Sequence, residues 1–323
     1  MPTLRIPAGI SRRVYQDTSA GFQRQLGRLA AGEAVSAEGM VALARMLGNT
    51  PELMAYRDGL VELIQARQDP ATGLMKDKAD YECWPKPLAE ATSTLRVLGA
   101  ALRHPVGELE KLTDRRELQR WLETRNWDHP WGGPTGAGHM VGGALFAMSD
   151  LGMLTQAMVN QTFDYLDGLR DEEYGVWAKG RFDPANPGPA QLGGAYYFSL
   201  MYNRFRRPLP RPEGACRMLM EMQRKTGTGT FCIDGRLSWP FGSTDHDALC
   251  VLARHARLNA ELWREAVPAI EWYARYFVEQ MSNEATYISG YPIPQTLAIL
   301  RSVFPDDADD APHWYYVMYQ WAF

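Results

Sequence analysis

Two aspartates, Asp245 and Asp247, flank His246 at the head of an apolar run, Ala248-Leu249-Cys250-Val251-Leu252-Ala253, with Trp239 and Phe241 just upstream. Residues of this kind suit acid chemistry. A carboxyl group in an aromatic, apolar pocket has its ionised form disfavoured, so it stays protonated near neutral pH and gives up a proton. A histidine beside it can set its protonation state. A plainer role is also open: Thr244 or Asp245 caps the helix and Asp247 sits in its first turn, where acidic side chains are favourable anyway.

A second cluster lies at Trp127-Asp128-His129-Pro130-Trp131, followed by a Gly/Pro-rich stretch that ends at His139. His139 heads another small, apolar run and is a candidate base or acid near neutral pH. A histidine hydrogen-bonded within its loop is the alternative. The glycines there form no phosphate loop, because no GxxxxGK[ST] pattern is present. Metal chemistry is not expected: adjacent helical residues point about 100° apart, so Asp245, His246 and Asp247 cannot easily face one ion. No cofactor is expected either.

These residues need elements to hold them. Four polar loops bearing glycine or tryptophan each link two apolar, helix-like runs: Gln68 to Leu74, Trp127 to Trp131, Arg170 to Trp177 and Gln223 to Phe231. Their spacing, roughly 45–60 residues, is that of a helical hairpin in a repeat architecture. No sustained strand alternation is visible. The pattern predicts an all-α fold, an α/α toroid of five or six helical hairpins over residues 21–323, preceded by an N-terminal arm over residues 1–20. Pro2, Pro7 and Gly9 mark the arm as extended chain to about Thr18. Helices are expected over 21–31, 36–47, 52–67, 88–102, 114–124, 139–151, 154–169, 189–202, 212–223, 244–256, 260–281 and 294–304. The second run of each pair is richer in small residues, as at Gly142-Gly143-Ala144 and Gly193-Gly194-Ala195, which suits a crowded inner ring.

Composition narrows the classes. Charged residues make up 22% and hydrophobic ones 46%, enough to bury a large core. A net charge of −4 with only short basic stretches gives no reason to expect nucleic acid. The four cysteines are scattered, without a CxxC, as expected of reduced thiols. No apolar signal-peptide core opens the chain and no run of about 18 apolar residues occurs, so a cytoplasmic protein without a membrane span is expected.

The elements that open at Gln68 (to Gly73-Leu74) and Gln223 (to Gly229-Thr230-Phe231), with the turn Gly175-Val176-Trp177, loosely resemble the Gln-x-x-x-x-Gly-aromatic repeat of the prenyltransferase/squalene-cyclase superfamily, with Leu74 in the aromatic place and the second spacing longer. The segment Asp245-His246-Asp247-Ala248-Leu249 is similar to the Asp-x-Asp-Asp-Thr-Ala motif of its class II terpenoid cyclases, with Ala248 where the third aspartate would stand. The resemblance implies a toroid enclosing an aromatic-lined cavity, in which Asp247 protonates an alkene or epoxide of a mostly apolar substrate and Asp245 supports it. His139 would tune or return the proton. Trp131, Trp177, Trp239, Phe241 and Tyr291 would line the pocket, with His246 beside the substrate. The chain is too short for the second barrel of a triterpene cyclase, and the zinc Asp-x-Cys arrangement of protein prenyltransferase β subunits is not reproduced.

Two other readings stand beside this one. Acids and bases around Trp177 (Asp171, Glu172, Glu173, Lys179, Arg181), with Tyr287 and Tyr291, fit a carbohydrate-active lyase or glycoside hydrolase on the same scaffold. Glu172 and Glu173 also read simply as a solvated loop. A non-catalytic helical-repeat binding module is the third reading. The aromatic C-terminus, His313 to Phe323, is too apolar to dangle. It is expected to pack on the ring or on a second copy of the chain, as a homo-oligomer.

Overall fold

The computed structural model describes residues 4–31, 56–76, 84–130, 136–177, 189–231, 243–283 and 292–304. Among these the protein is helical, without strands; the only pairings of extended chain are isolated bridges. The helices are α1 (Ala8–Ala30), α2 (Arg57–Ala66), α3 (Pro85–Val97), α4 (Gly107–Lys111), α5 (Arg115–Glu123), α6 (Gly143–Asp150), α7 (Gln156–Leu169), α8 (Pro189–Arg204), α9 (Pro212–Thr226), α10 (Ser243–His255), α11 (Ala260–Ser282) and α12 (Pro292–Val303). A π-helical turn, Gly138–Gly142, runs directly into α6.

The two helices of a pair differ in how they bury themselves. On α5 only Leu118 and Leu122 are buried, and on α7 only Met158, Val159, Thr162, Phe163 and Leu166. These are one-sided helices with a wet face. They are also capped by their own sequence: Asp114 accepts from the amides of Arg116 and Glu117, Thr155 from Met158, and Asn259 from Glu261 and Leu262 at the head of α11. By contrast, Leu192 to Tyr202 of α8 and Thr244 to Ala253 of α10 are buried on every side. A helix with no wet face belongs to an inner layer.

The inner helices touch in chain order. Helix α3 packs on α6 and the π turn, the π turn on α8, α8 on α10, and α10 on α12, which also meets α1. The one-sided helices flank them, α5 against α7 and α9 against α11. Small residues permit the close approach. A Cβ on Gly143 would lie 2.6 Å from the Pro85 carbonyl carbon and 2.8 Å from the Lys86 amide nitrogen. One contiguous apolar core extends from Ile6 to Phe304.

The loops repeat in atomic detail. Asp69 Oδ1 accepts from Ala71 and Thr72 N–H, and Asp171 Oδ1 accepts from Glu173 and Tyr174 N–H. In each loop the Asp amide donates to a carbonyl five residues on, Leu74 or Val176, and a left-handed glycine, Gly73 (φ 75°) or Gly175 (φ 65°), completes the turn. Buried Gln68 ties its loop to the next pair: its Nε2 donates to Gly73 O (2.8 Å) and His104 O (2.6 Å), and its Oε1 accepts from Arg103 and His104 N–H. Gln223 does the same toward Gly229 O (2.7 Å) and Ala269 O (2.9 Å). Each loop therefore stitches one hairpin to its successor, as stacked repeats require.

Two expectations need correction and others lie elsewhere. Residues 8–20 are not an extended arm: α1 starts at Ala8, and Ile6, Ile10 and Val14 form a buried stripe. Pro7 precedes the helix and Gly9 falls in its first turn, where neither residue breaks the ladder. The helix expected from His139 opens instead with the π turn. The expected helix over 36–47 and the aromatic C-terminus lie outside the described residues.

Candidate active site

Three inner segments supply the titratable groups near their starts: Lys86 on α3, His139 on the π turn and Asp247, the fifth residue of α10. Their backbones are linked by packing. The start of α3 lies against Gly143, one turn beyond His139. The His139 ring meets Tyr197 edge-on, with centroids 4.6 Å apart. Tyr197 abuts Tyr196, which in turn meets His246 at 5.6 Å. Tyr196 and Tyr197 of α8 thus bridge the histidine of the preceding hairpin to the Asp-His-Asp segment of the following one.

Asp247 is 3% exposed. Burial pushes its carboxyl well above the usual aspartate value, and the Lys86 ammonium, pulling the other way, does not offset it. His139 is 8% exposed, and its imidazole is pushed down to about 3, first by burial and then by the charges of Lys86 and His129. Its Nδ1 is buried and has no hydrogen-bond partner among the described residues. The arrangement therefore offers a carboxyl group whose protonated form is favoured by burial, beside an imidazole whose neutral form is favoured likewise. Lys86 itself is half-buried, with Glu90 one turn along at 4.0 Å. Charge from Lys86 reaches both other groups, which no pairing in the sequence announced.

Asp245 is also buried, but it holds a loop: its Oδ1 accepts the Phe231 amide at 2.7 Å. His246 is fully buried against Tyr196, its pKa lowered to about 3 by burial and by Arg254. Trp177 departs from the expected pocket wall. It is 1% exposed, packed on Phe198 (5.0 Å) and Tyr202 (5.5 Å), and is a core residue. Glu172 and Glu173 sit in an exposed turn, as a solvated loop does. Trp131, Trp239, Phe241 and Tyr291 lie outside the described residues, as do Lys179, Arg181 and Tyr287.

Three residues of this cluster escaped the sequence reading. Tyr196 and Tyr197 directly follow Gly193-Gly194-Ala195, and Lys86 stands between Pro85 and Pro87 at the head of an inner helix.

Among the described residues no three His, Cys, Asp or Glu side chains gather as a metal site, and no helix is long and apolar enough to cross a membrane. Neither a protein-family description, nor a curated protein, nor a solved structure matches the chain.

Proposed function

We propose that this protein is a terpenoid-cyclase-like enzyme on an α/α toroid, in which Asp247 is the Brønsted acid for cyclisation or isomerisation of a mostly apolar substrate. The single observation that supports this most is the burial of Asp247 near the start of α10, which favours its protonated form. The unbroken succession of inner helices from α3 to α12 supports the ring. Asp247 gives its proton to the substrate, and His139, neutral and with its Nδ1 unengaged among the described residues, receives the proton that leaves. Return of that proton to Asp247 closes the cycle without any external oxidant or reductant. Tyr196 and Tyr197 present ring edges and faces beside the transient positive charge.

The test is incubation of the purified protein with acyclic polyprenyl alcohols, acids and epoxides, followed by a search for products of unchanged mass. Asp247→Asn should lower turnover about 10²–10⁴-fold, the usual contribution of a positioned acid. An Asp247→Asn protein with full turnover would remove the proposal.

A second reading draws on one specific observation, the Tyr197–His139 pair next to the Lys86 charge. A tyrosine, a histidine and a cation are also a suitable set for a carbohydrate lyase acting on a uronate. That enzyme would release unsaturated, ultraviolet-absorbing oligosaccharides from uronate polymers, and the protein proposed here would not.

A further inference from the structure

Three inner helices, α3, α6 and α8, end in the same way. A left-handed residue follows each, and two amides turn back to the last carbonyls: Gly99 to Arg96 and Ala100 to Leu95, Gly152 to Ser149 and Met153 to Met148, Arg206 to Asn203 and Arg207 to Tyr202. Glycine takes this conformation freely and stands at the first two positions. At the third stands an exposed arginine with φ of 53°, which an L side chain resists. The same three ends also share one ion-pair group. Asp150, the last residue of α6, buries its carboxylate against two arginines. Arg96 Nε, in the last turn of α3, is 3.0 Å from Asp150 Oδ1, and Arg204 Nη2, at the end of α8, is 3.2 Å from the same oxygen. Arg204 Nη2 also donates to Ser149 Oγ at 3.1 Å.

Arginine near a helix C-terminus is ordinary, since it complements the exposed carbonyls. Two guanidinium groups crowded on one carboxylate oxygen are not required for that. One would neutralise Asp150; the second leaves a surplus positive charge at the surface. Burial works against the charged form of Arg204; Asp150 favours it and Arg96 opposes it. The exposed Arg96 uses only Nε, and its Nη1 and Nη2 have no partner among the described residues. We infer that Arg96, Arg204 and Arg206 form a binding site for a phosphate group, at the opposite end of α3 and α6 from Lys86 and His139. Guanidinium forks match oxyanions edge to edge, and several forks around one point suit a tetrahedral dianion better than a two-oxygen carboxylate. Asp150 is the positioning residue, because it holds Arg96 and Arg204 together against their mutual repulsion.

The probes are inorganic phosphate, glycerol phosphate and acetate, titrated at constant ionic strength into the full-length protein while the arginine Nε–H resonances are followed by NMR. The Arg96 signal is assigned by its loss in Arg96→Gln. Saturable shifts with both phosphates are expected, with acetate about tenfold weaker or more. Arg96→Gln leaves Arg204 on Asp150, so the buried carboxylate stays paired and the melt should be close to native. Its phosphate affinity, read by calorimetry, should fall about tenfold or more, the contribution of one charge-assisted pair. Arg206→Gly should melt higher than the native protein and yet bind phosphate more weakly. Sedimentation with phosphatidylcholine vesicles, with and without phosphatidic acid, separates the two sources of phosphate. Retention on the acidic vesicles alone, lost in Arg96→Gln, assigns a lipid head; no retention assigns a soluble phosphate ester. Asp247→Asn should bind phosphate as the native protein does, so this site and the acid role stand or fall separately. Acetate binding as tightly as phosphate, no saturable shift at Arg96, or unchanged phosphate affinity in both Arg96→Gln and Arg206→Gly would each overturn the inference.

Discussion

The Phe231 amide donates to Asp245 Oδ1 at 2.7 Å, across 14 residues of chain, so the loop that closes α9 is pinned to the first turn of α10. Two aspartates that look alike in the sequence therefore do different work. Asp245→Ala leaves a buried amide without its acceptor, which should cost about 1–3 kcal/mol in urea unfolding. Asp245→Asn keeps an acceptor oxygen and should cost less. If both variants unfold as the native protein does, the pin has no energetic weight.

Asp247 should behave in the opposite way. Its native carboxyl titrates well above the usual value of 3.8, so the native state holds a proton that the unfolded chain has released. Stability from this group is complete below the unfolded value and is lost as pH rises through the native one. Asp247→Asn, which mimics the protonated form, should be more stable than the native protein at pH 7–8. The advantage should vanish toward pH 4. Chemical denaturation at the two pH values reads the difference.

Histidines dominate the acid side. His139, His246 and His255 are each held neutral by burial, with native values of about 3 against 6.5 when unfolded. Stability from each is present above 6.5 and falls as pH drops from 6.5 toward 3, by roughly 1.4 kcal/mol per pH unit and histidine. The native protein should lose stability steeply below pH 6. His255→Gln, at the far end of α10 from Asp247, should flatten that slope by about one proton. An unchanged slope would mean that His255 is protonated in the native state.

The loop stitches can be tested one atom group at a time. A Cβ at Gly73 would meet the Pro105 carbonyl oxygen at 1.9 Å, on a backbone with φ of 75°. Gly73→Ala should therefore cost about 2–4 kcal/mol. Gly27→Ala, on an exposed turn of α1 with nothing within 4 Å, should gain up to about 1 kcal/mol from helix propensity alone. Thermal melts of the two variants should shift in opposite directions.

Much of the scaffold was legible before any coordinates. The helices expected over 114–124, 154–169 and 260–281 fall where α5, α7 and α11 stand, and Gln68 and Gln223 recur because the same stitch recurs. The start of α1 was misread because Pro7 and Gly9 were weighed as helix breakers, although the stripe Ile6, Ile10, Val14 was present. Periodicity could not foresee the π turn, since it arises where His139 and its neighbours are buried on all sides. Candidate residues were legible where the chain brings them together, as at Asp245 and Asp247. Lys86 lies on another hairpin, and its relation to His139 and Asp247 exists only once the inner helices pack. Trp177 shows the converse, because residue type alone does not say whether a ring faces a pocket or a core.

The most direct measurement is the infrared difference spectrum of native protein against Asp247→Asn at pH 7, with aspartate carboxyl groups isotopically labelled. A protonated carbonyl stretch present in the native protein and missing from the variant is the predicted result. A difference confined to the ionised carboxylate bands would show Asp247 charged at neutral pH and contradict its role as an acid.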